Sequence, residues 1–98
     1  MKRLSEEGIK MRLEFLSKWS LKDGKLHRDV VFKDFKQALS AMVQIGFLAE
    51  ELNHHPEWKN VYNRLAIDLT THDAGGITVL DFDLAKSIED LIETYGAH

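Results

Sequence analysis

The chain has no cysteine. That absence removes disulfide staples, thiolate metal sites and thiol nucleophiles together. The fold must stand on its core, with help from self-association where that core is thin, and a reducing cytosol suits such a composition. One proline and six scattered glycines leave nothing that reads as a linker, a repeat or a low-complexity tract. No apolar run approaches the ~20 residues needed to cross a bilayer, and the stretch from Met1 to Glu7 lacks the apolar segment of a signal peptide. An excess of positive charge is missing too. Thirteen Lys and Arg against sixteen Asp and Glu give a formal net charge of −3 at pH 7, which argues against a nucleic-acid binder held by a broad basic surface.

What is present is 98 residues, 44% hydrophobic and 30% charged, the profile of one folded soluble domain spanning 1–98. Ser5 ahead of Glu6 and Glu7 predicts a helix N-cap with acidic residues in the first turn. Leu4 is placed to staple onto Ile9, and Ile9, Leu13 and Leu16 form the apolar stripe. Asp23-Gly24, between the segments Trp19 to Leu21 and Leu26 to Phe32, predicts a type I′ hairpin. Asp34 caps a longer helix through Leu52, whose core stripe reads as Phe35, Ala38, Leu39, Met42, Ile45, Gly46 and Ala49. Ala41, Val43, Phe47 and Leu48 widen that arc so far that a second face is expected to be buried against another subunit.

Pro56 ends this helix. A single strand from Trp58 to Thr71 would run ~45 Å, too long for such a domain. A hairpin near Asn63 is expected instead, with Leu65, Ile67 and Leu69 inward and Arg64, Asp68 and Thr70 outward. Thr78 to Asp81 reads as a capping box opening a last helix striped by Leu84, Ala85, Ile88, Leu91, Ile92 and Tyr95, with Gly96 as its C′ residue. The order α-β-β-α-β-β-α with hairpin-paired strands defines an α+β fold: a four-stranded antiparallel sheet with three helices on one face.

Three of the five histidines, His54, His55 and His72, lie in or beside the loops that follow long elements. An unperturbed pKa of about 6.5 lets histidine act as acid or base near neutrality. For a single loop histidine, a solvated or helix-capping role is the commoner one; three around one potential cleft shift the balance modestly toward a site. A metal centre has less support, because neither helical i, i+4 nor knuckle spacing is present, and nothing in the spacing asks for Asp73 or Asp81 as ligands. Asp81 already has a structural role opposite Thr78. Trp58 and Tyr62 read as packed aromatics, and Glu50 and Glu51 as the solvated end of the second helix, with either carboxylate in reach of the His54 loop. No Gly-x-Ser-x-Gly is present, and Gly75-Gly76 is not a P-loop. The residues alone describe a small α+β domain with a candidate acid–base pocket.

The order of the loops goes further. Glu50-Glu-Leu-Asn-His54-His55-Pro56-Glu57-Trp58, then Val61-Tyr62-Asn63, Leu69-Thr70-Thr71-His72-Asp73 and Asp81-x-x-Leu84-Ala85 closely resemble the pterin-4a-carbinolamine dehydratase family. Phe32-Lys33-Asp34-Phe35 at the start of the second helix does so as well. The resemblance runs from Trp19 almost to the C-terminus, with a shorter first hairpin than in the animal enzymes and a first helix that matches loosely. It implies an enzyme that dehydrates the 4a-hydroxytetrahydropterin released by aromatic amino-acid hydroxylases to the quinonoid dihydropterin, in tetrahydrobiopterin recycling, with no metal and no bound cofactor. By the same resemblance the catalytic histidines fall on His54, His55 and His72. Pterin contacts fall on Asn53, His54 and His55, on Thr70, Thr71, His72 and Asp73, and on the carboxylates Glu50 and Asp81.

Family members are similar in fold to the order read above and associate as dimers and tetramers. The animal homologue also binds the dimerisation helix of a homeodomain transcription factor. The resemblance thus implies a pterin substrate, a homotetramer, and partners in a hydroxylase pathway or a transcription-factor helix, without direct nucleic-acid or membrane contact. Residence is expected in the cytoplasm, with the nucleus as a second compartment. Dehydrating a carbinolamine needs an acid for the departing hydroxyl and a base for the N5 proton, which two neutral-range imidazoles supply. The alternative function is a non-catalytic module serving as dimerisation cofactor of a transcription factor; retention of all three histidines leans toward catalysis.

Overall fold

In the computed structural model, which describes residues 1–98, two tight turns set the sheet. Asp23 and Gly24 both take positive φ, 51° and 75°, as a type I′ turn demands, and join β1 (Ser20–Lys22) to β2 (Lys25–Val31). Tyr62 at φ 52° turns β3 (Glu57–Val61) into β4 (Arg64–Leu69). All pairings are antiparallel and the spatial order is β1-β2-β4-β3. Leu26 lies opposite Leu69, Arg28 opposite Ile67 and Val30 opposite Leu65, so one face of the sheet is nearly all apolar. The expected α+β order holds: α1 (Glu6–Leu13), α2 (Phe35–Leu52) and α3 (Val79–Thr94) occur among the strands as read. Buried residues of all three helices share one core with that face, among them Ile9, Ala38, Ile45, Leu84, Ile88 and Ile92. No helix is long and apolar enough to cross a membrane.

The caps follow local chemistry. Ser5 Oγ accepts from the Gly8 N–H at 3.1 Å and Asp34 Oδ1 from the Gln37 N–H at 2.9 Å. Gly96, at φ 65°, follows the α3 C-cap Tyr95 as expected. Helix α1 is shorter than its stripe suggested, ending at Leu13, with Leu16 buried beyond it.

The face of α2 differs from the sequence reading. Its core side is Ala38, Ala41, Ile45 and Ala49, with Met42, Leu48 and Leu52 packed alongside. Phe35, Leu39, Val43 and Phe47, at 43, 48, 52 and 67% exposure, line the outer side. Phe35 and Leu39 thus leave the expected core stripe, and Ala41 joins it. The reason is bulk. A stripe read from apolar spacing centres on large residues, whereas helix-to-helix distance depends on the side chains at the contact. Alanines let α2 approach the large core residues of α3. Trp58 and Tyr62 were also expected to be packed, yet they are 37 and 64% exposed. Both belong to β3 or its turn, and β3 is an edge strand with no neighbour beyond it.

One ion pair crosses the core. Arg28 projects from the inner face of β2, and its Nε donates to Glu89 Oε1 of α3 at 2.9 Å, with Nη2 to Oε2 at 3.3 Å. Trp19 Nε1 donates to the same Oε1 at 2.9 Å. Burial pushes the Glu89 carboxyl up, but the Arg28 and Trp19 hydrogen bonds outweigh it and hold the pKa below the ordinary value of 4.5. Glu89→Ala would leave the Arg28 guanidinium buried without its counter-charge, so a loss of about 3–5 kcal/mol is expected in urea denaturation; a loss below about 1 kcal/mol would contradict this account. Because the folded pKa is lowered, the contribution is present above the unfolded value and fades as pH falls through the folded one. The gap between wild type and variant should therefore be widest near neutrality and close under acid.

Candidate active site

The end of α2 and the exit of β4 both have to turn back toward the start of α3. Asn53 makes the first turn: it caps α2 in the left-handed region at φ 49°, its N–H reaching Ala49 O and Glu50 O, while the His54 N–H reaches Ala49 O at 3.0 Å. Pro56 then prevents the helix from resuming. After β4, Thr71 and Gly76 exchange backbone hydrogen bonds of 3.0 and 3.3 Å, closing a loop that holds the 3₁₀ turn His72–Ala74 and Gly75 at φ 73°. The N-terminal arm ties down this loop, since the Leu4 N–H donates to Ile77 O at 2.7 Å.

Asp81 lies where these segments meet and is fully buried. Its Oδ2 accepts from the Thr78 N–H at 2.8 Å, closing the capping box, and from the Thr71 hydroxyl at 2.8 Å. Thr71 and Thr78 Oγ1 are themselves 2.9 Å apart. Oδ1 faces His54 Nε2 at 2.5 Å. An ionised Asp81 can only accept, so in that form its partner is the Nε2–H of His54, and Nδ1 is the ring nitrogen outside this contact.

Each of the other two histidines also faces a carboxylate. His55 Nε2 lies 2.8 Å from Glu50 Oε2, both side chains exposed. His72 Nε2 lies 3.5 Å from Glu57 Oε2, and Glu57 Oε1 accepts from Lys25 Nζ at 2.8 Å. The Lys25 hydrogen bond is the main reason the Glu57 carboxyl is held below its ordinary pKa, and Glu57 in turn raises Lys25. Exposed pairs of this kind contribute little to stability, because water screens them.

Of the residues singled out in the sequence, the structure joins His54, Thr71 and Asp81 directly, and Glu50 to His55. Asn53 acts through its backbone. Thr70 is half-buried and Asp73 is exposed on the 3₁₀ turn. Thr78, Glu57 and Lys25 were not read as site residues. Thr78 had a signal in its capping box and Glu57 in its place beside the histidine pair, but Lys25 had none. No three His, Asp or Glu side chains converge as a metal site. A cavity of about 410 Å³ on the outer sheet face, lined in part by Asp29, Lys59, Val61 and Arg64, shares no residue with the histidine loops.

Fold and loops together define a small α+β protein with three histidine–carboxylate pairs, one of them at the start of α3. Residues 2–91 match the family model described as Pterin 4 alpha carbinolamine dehydratase. The chain is 54% identical over 89 residues to a protein of Solibacter usitatus, covering 91% of this chain and 94% of that one. It is 45% identical over 94 residues to one of Christiangramia forsetii, covering 96 and 97%. Both relatives are provisionally named pterin-4-alpha-carbinolamine dehydratases. A crystal structure of a transcriptional coactivator/pterin dehydratase from Brucella melitensis matches with a TM-score of 0.89 at 39% identity, over 93% of this chain and 99% of that one. The chain belongs to the pterin-4-alpha-carbinolamine dehydratase family.

The Asp81 cluster is testable without any ligand. Asp81→Ala strands the Thr78 N–H and the Thr71 hydroxyl and frees His54, and buried unsatisfied groups cost about 1–3 kcal/mol each. A loss of about 3 kcal/mol is expected in denaturant, with faster amide exchange at Thr71 and Gly76 than at Leu65 or Ile67. Unchanged exchange in the loop would show that Asp81 does not hold it.

Proposed function

We propose that the protein dehydrates 4a-hydroxytetrahydropterins, giving the quinonoid dihydropterin and water, as a step in tetrahydrobiopterin recycling. The observation that carries this is the set of three histidines, each beside a carboxylate, on loops of a chain that belongs to the pterin dehydratase family. The reaction balances on two imidazoles. One, protonated, gives its proton to the 4a-hydroxyl as the C4a–O bond breaks and water leaves. The other, neutral, takes the N5 proton as the N5=C4a bond forms. The net proton count is unchanged, and exchange with solvent resets the pair.

His54 and His72 are the proposed proton-transfer pair, and His55 beside Glu50 the third catalytic group. Asn53, Thr70, Thr71, Asp73 and Asp81 are proposed to hold the pterin or the loops around it, with no metal or bound cofactor. Residues 1–98 act as one unit in this reading, in the cytoplasm. Stopped-flow decay of freshly generated 4a-hydroxytetrahydropterin is the test. His54→Ala and His72→Ala should each lower kcat by about 10²–10⁴-fold with the fold intact, while His98→Ala turns over normally. No acceleration by the wild type near neutral pH would end the proposal.

A second reading concerns the outer face of α2, where Phe35, Leu39, Val43 and Phe47 stand exposed one turn apart. Soluble chains seldom leave such a patch uncovered, and burying one Phe side chain contributes about 1.5–3 kcal/mol. A symmetric contact would gain that at each copy. The proposed occupant is a second copy of the chain, building a homotetramer; the Brucella relative's description as a coactivator makes a partner helix the competing occupant. Light scattering should give an oligomer for the wild type and a smaller species for Phe47→Asp. A wild-type monomer refutes the assembly, and a variant of unchanged size places it elsewhere.

A further inference from the structure

His72 is the least supported of the three histidines. It sits on a 3₁₀ turn of three residues with its side chain 79% exposed, and its ring makes no hydrogen bond within its own loop. An imidazole on a short exposed turn samples several rotamers, while proton transfer needs the ring held in one productive geometry. His54 gains that from Asp81. For His72 the carboxylate within ion-pair distance of the ring is Glu57, from β3.

Glu57 is itself aimed. Lys25 Nζ holds Oε1 at 2.8 Å, which turns Oε2 toward His72 Nε2 at 3.5 Å. The register explains how a residue from β2 arrives there. Leu26 lies opposite Leu69, and Glu57 opposite Asp68, so Lys25, Glu57 and the exit of β4 share one end of the sheet. The neighbouring acid, Asp68, also attracts Lys25 through space, but the hydrogen bond of Lys25 goes to Glu57, while Asp68 Oδ1 is engaged by His27 Nδ1 at 2.8 Å. A carboxylate beside Nε2 favours the ring form with hydrogen on that nitrogen and leaves Nδ1 for chemistry, the same division of the ring that an ionised Asp81 gives His54.

We propose that Glu57 is a positioning residue for His72, oriented by Lys25, and that this pair makes Nδ1 the reacting nitrogen of the His72 ring. The proposal rests on the reading of His72 as a proton-transfer group. As an exposed pair it adds little to stability, so its removal tests function with the fold intact.

The experiment uses the full chain with ¹³C- and ¹⁵N-labelled histidine, as wild type, Glu57→Gln, Lys25→Met and the double variant. Ring relaxation should show His72 ordered in the wild type and mobile in Glu57→Gln, while the His54 ring stays ordered in both. In turnover, Glu57→Gln should lower kcat about tenfold at unchanged KM, the low end of what carboxylate partners of functional histidines supply. Lys25→Met should fall less, and the double variant should match Glu57→Gln alone, because Lys25 acts through Glu57. A His72 ring equally mobile in wild type and Glu57→Gln overturns the proposal, as does unchanged kcat in Glu57→Gln. Multiplying effects in the double variant overturn the role of Lys25. If the wild type itself does not turn over, the proposed function fails, and the relaxation data still decide the positioning of His72.

Discussion

A carboxylate without solvent must spend its lone pairs on protein donors, and Asp81 spends them on three segments at once. It accepts from Thr78 at the cap of its own helix and from Thr71 at the exit of β4, and it pairs with His54 beyond α2. Its place in the first turn of α3 is also where the helix dipole favours negative charge. The start of α3, the 71–76 loop and the His54 loop are therefore positioned by one side chain. The Arg28–Glu89 pair does comparable work further along α3, tying the helix to the inner face of β2. Two buried polar clusters on one helix thus set how α3 lies on the sheet, and the histidines inherit that placement.

The three histidine–carboxylate pairs differ in how far they reach into solvent. His54 and Asp81 are buried and cross-linked to two threonines. His55 with Glu50 and His72 with Glu57 lie in the open. The buried pair is fixed by its threonine neighbours, whereas each exposed pair rests on a single carboxylate contact.

Much of this was legible because it follows from local rules. Asp23-Gly24, the Thr78–Asp81 capping box and the α3 stripe need only a few neighbouring residues to specify them. Asp81 could be read both as a helix cap and as the family's aspartate, and it lies in both hydrogen-bond sets. The orientation of α2 was not legible, since Ala38, Ala41 and Ala49 carry little weight in a hydrophobic pattern yet decide how close the helix comes. Nor was the exposure of Trp58 and Tyr62, which depends on β3 lying at the margin of the sheet. The Lys25–Glu57 contact was hidden for the same reason. It exists only once the register brings two strands distant in sequence to one end of the sheet.

The two tryptophans make the molecule its own spectroscopic reporter. Trp19 is 4% exposed with its indole N–H on Glu89, and Trp58 is 37% exposed three residues after His55. A collisional quencher in water reaches the second ring and not the first, so the emission of the native protein divides into an inner and an outer component. The inner one changes when α3 parts from β2. The outer one reports on the edge strand β3, so the margin of the sheet and its core can be followed separately in one emission spectrum.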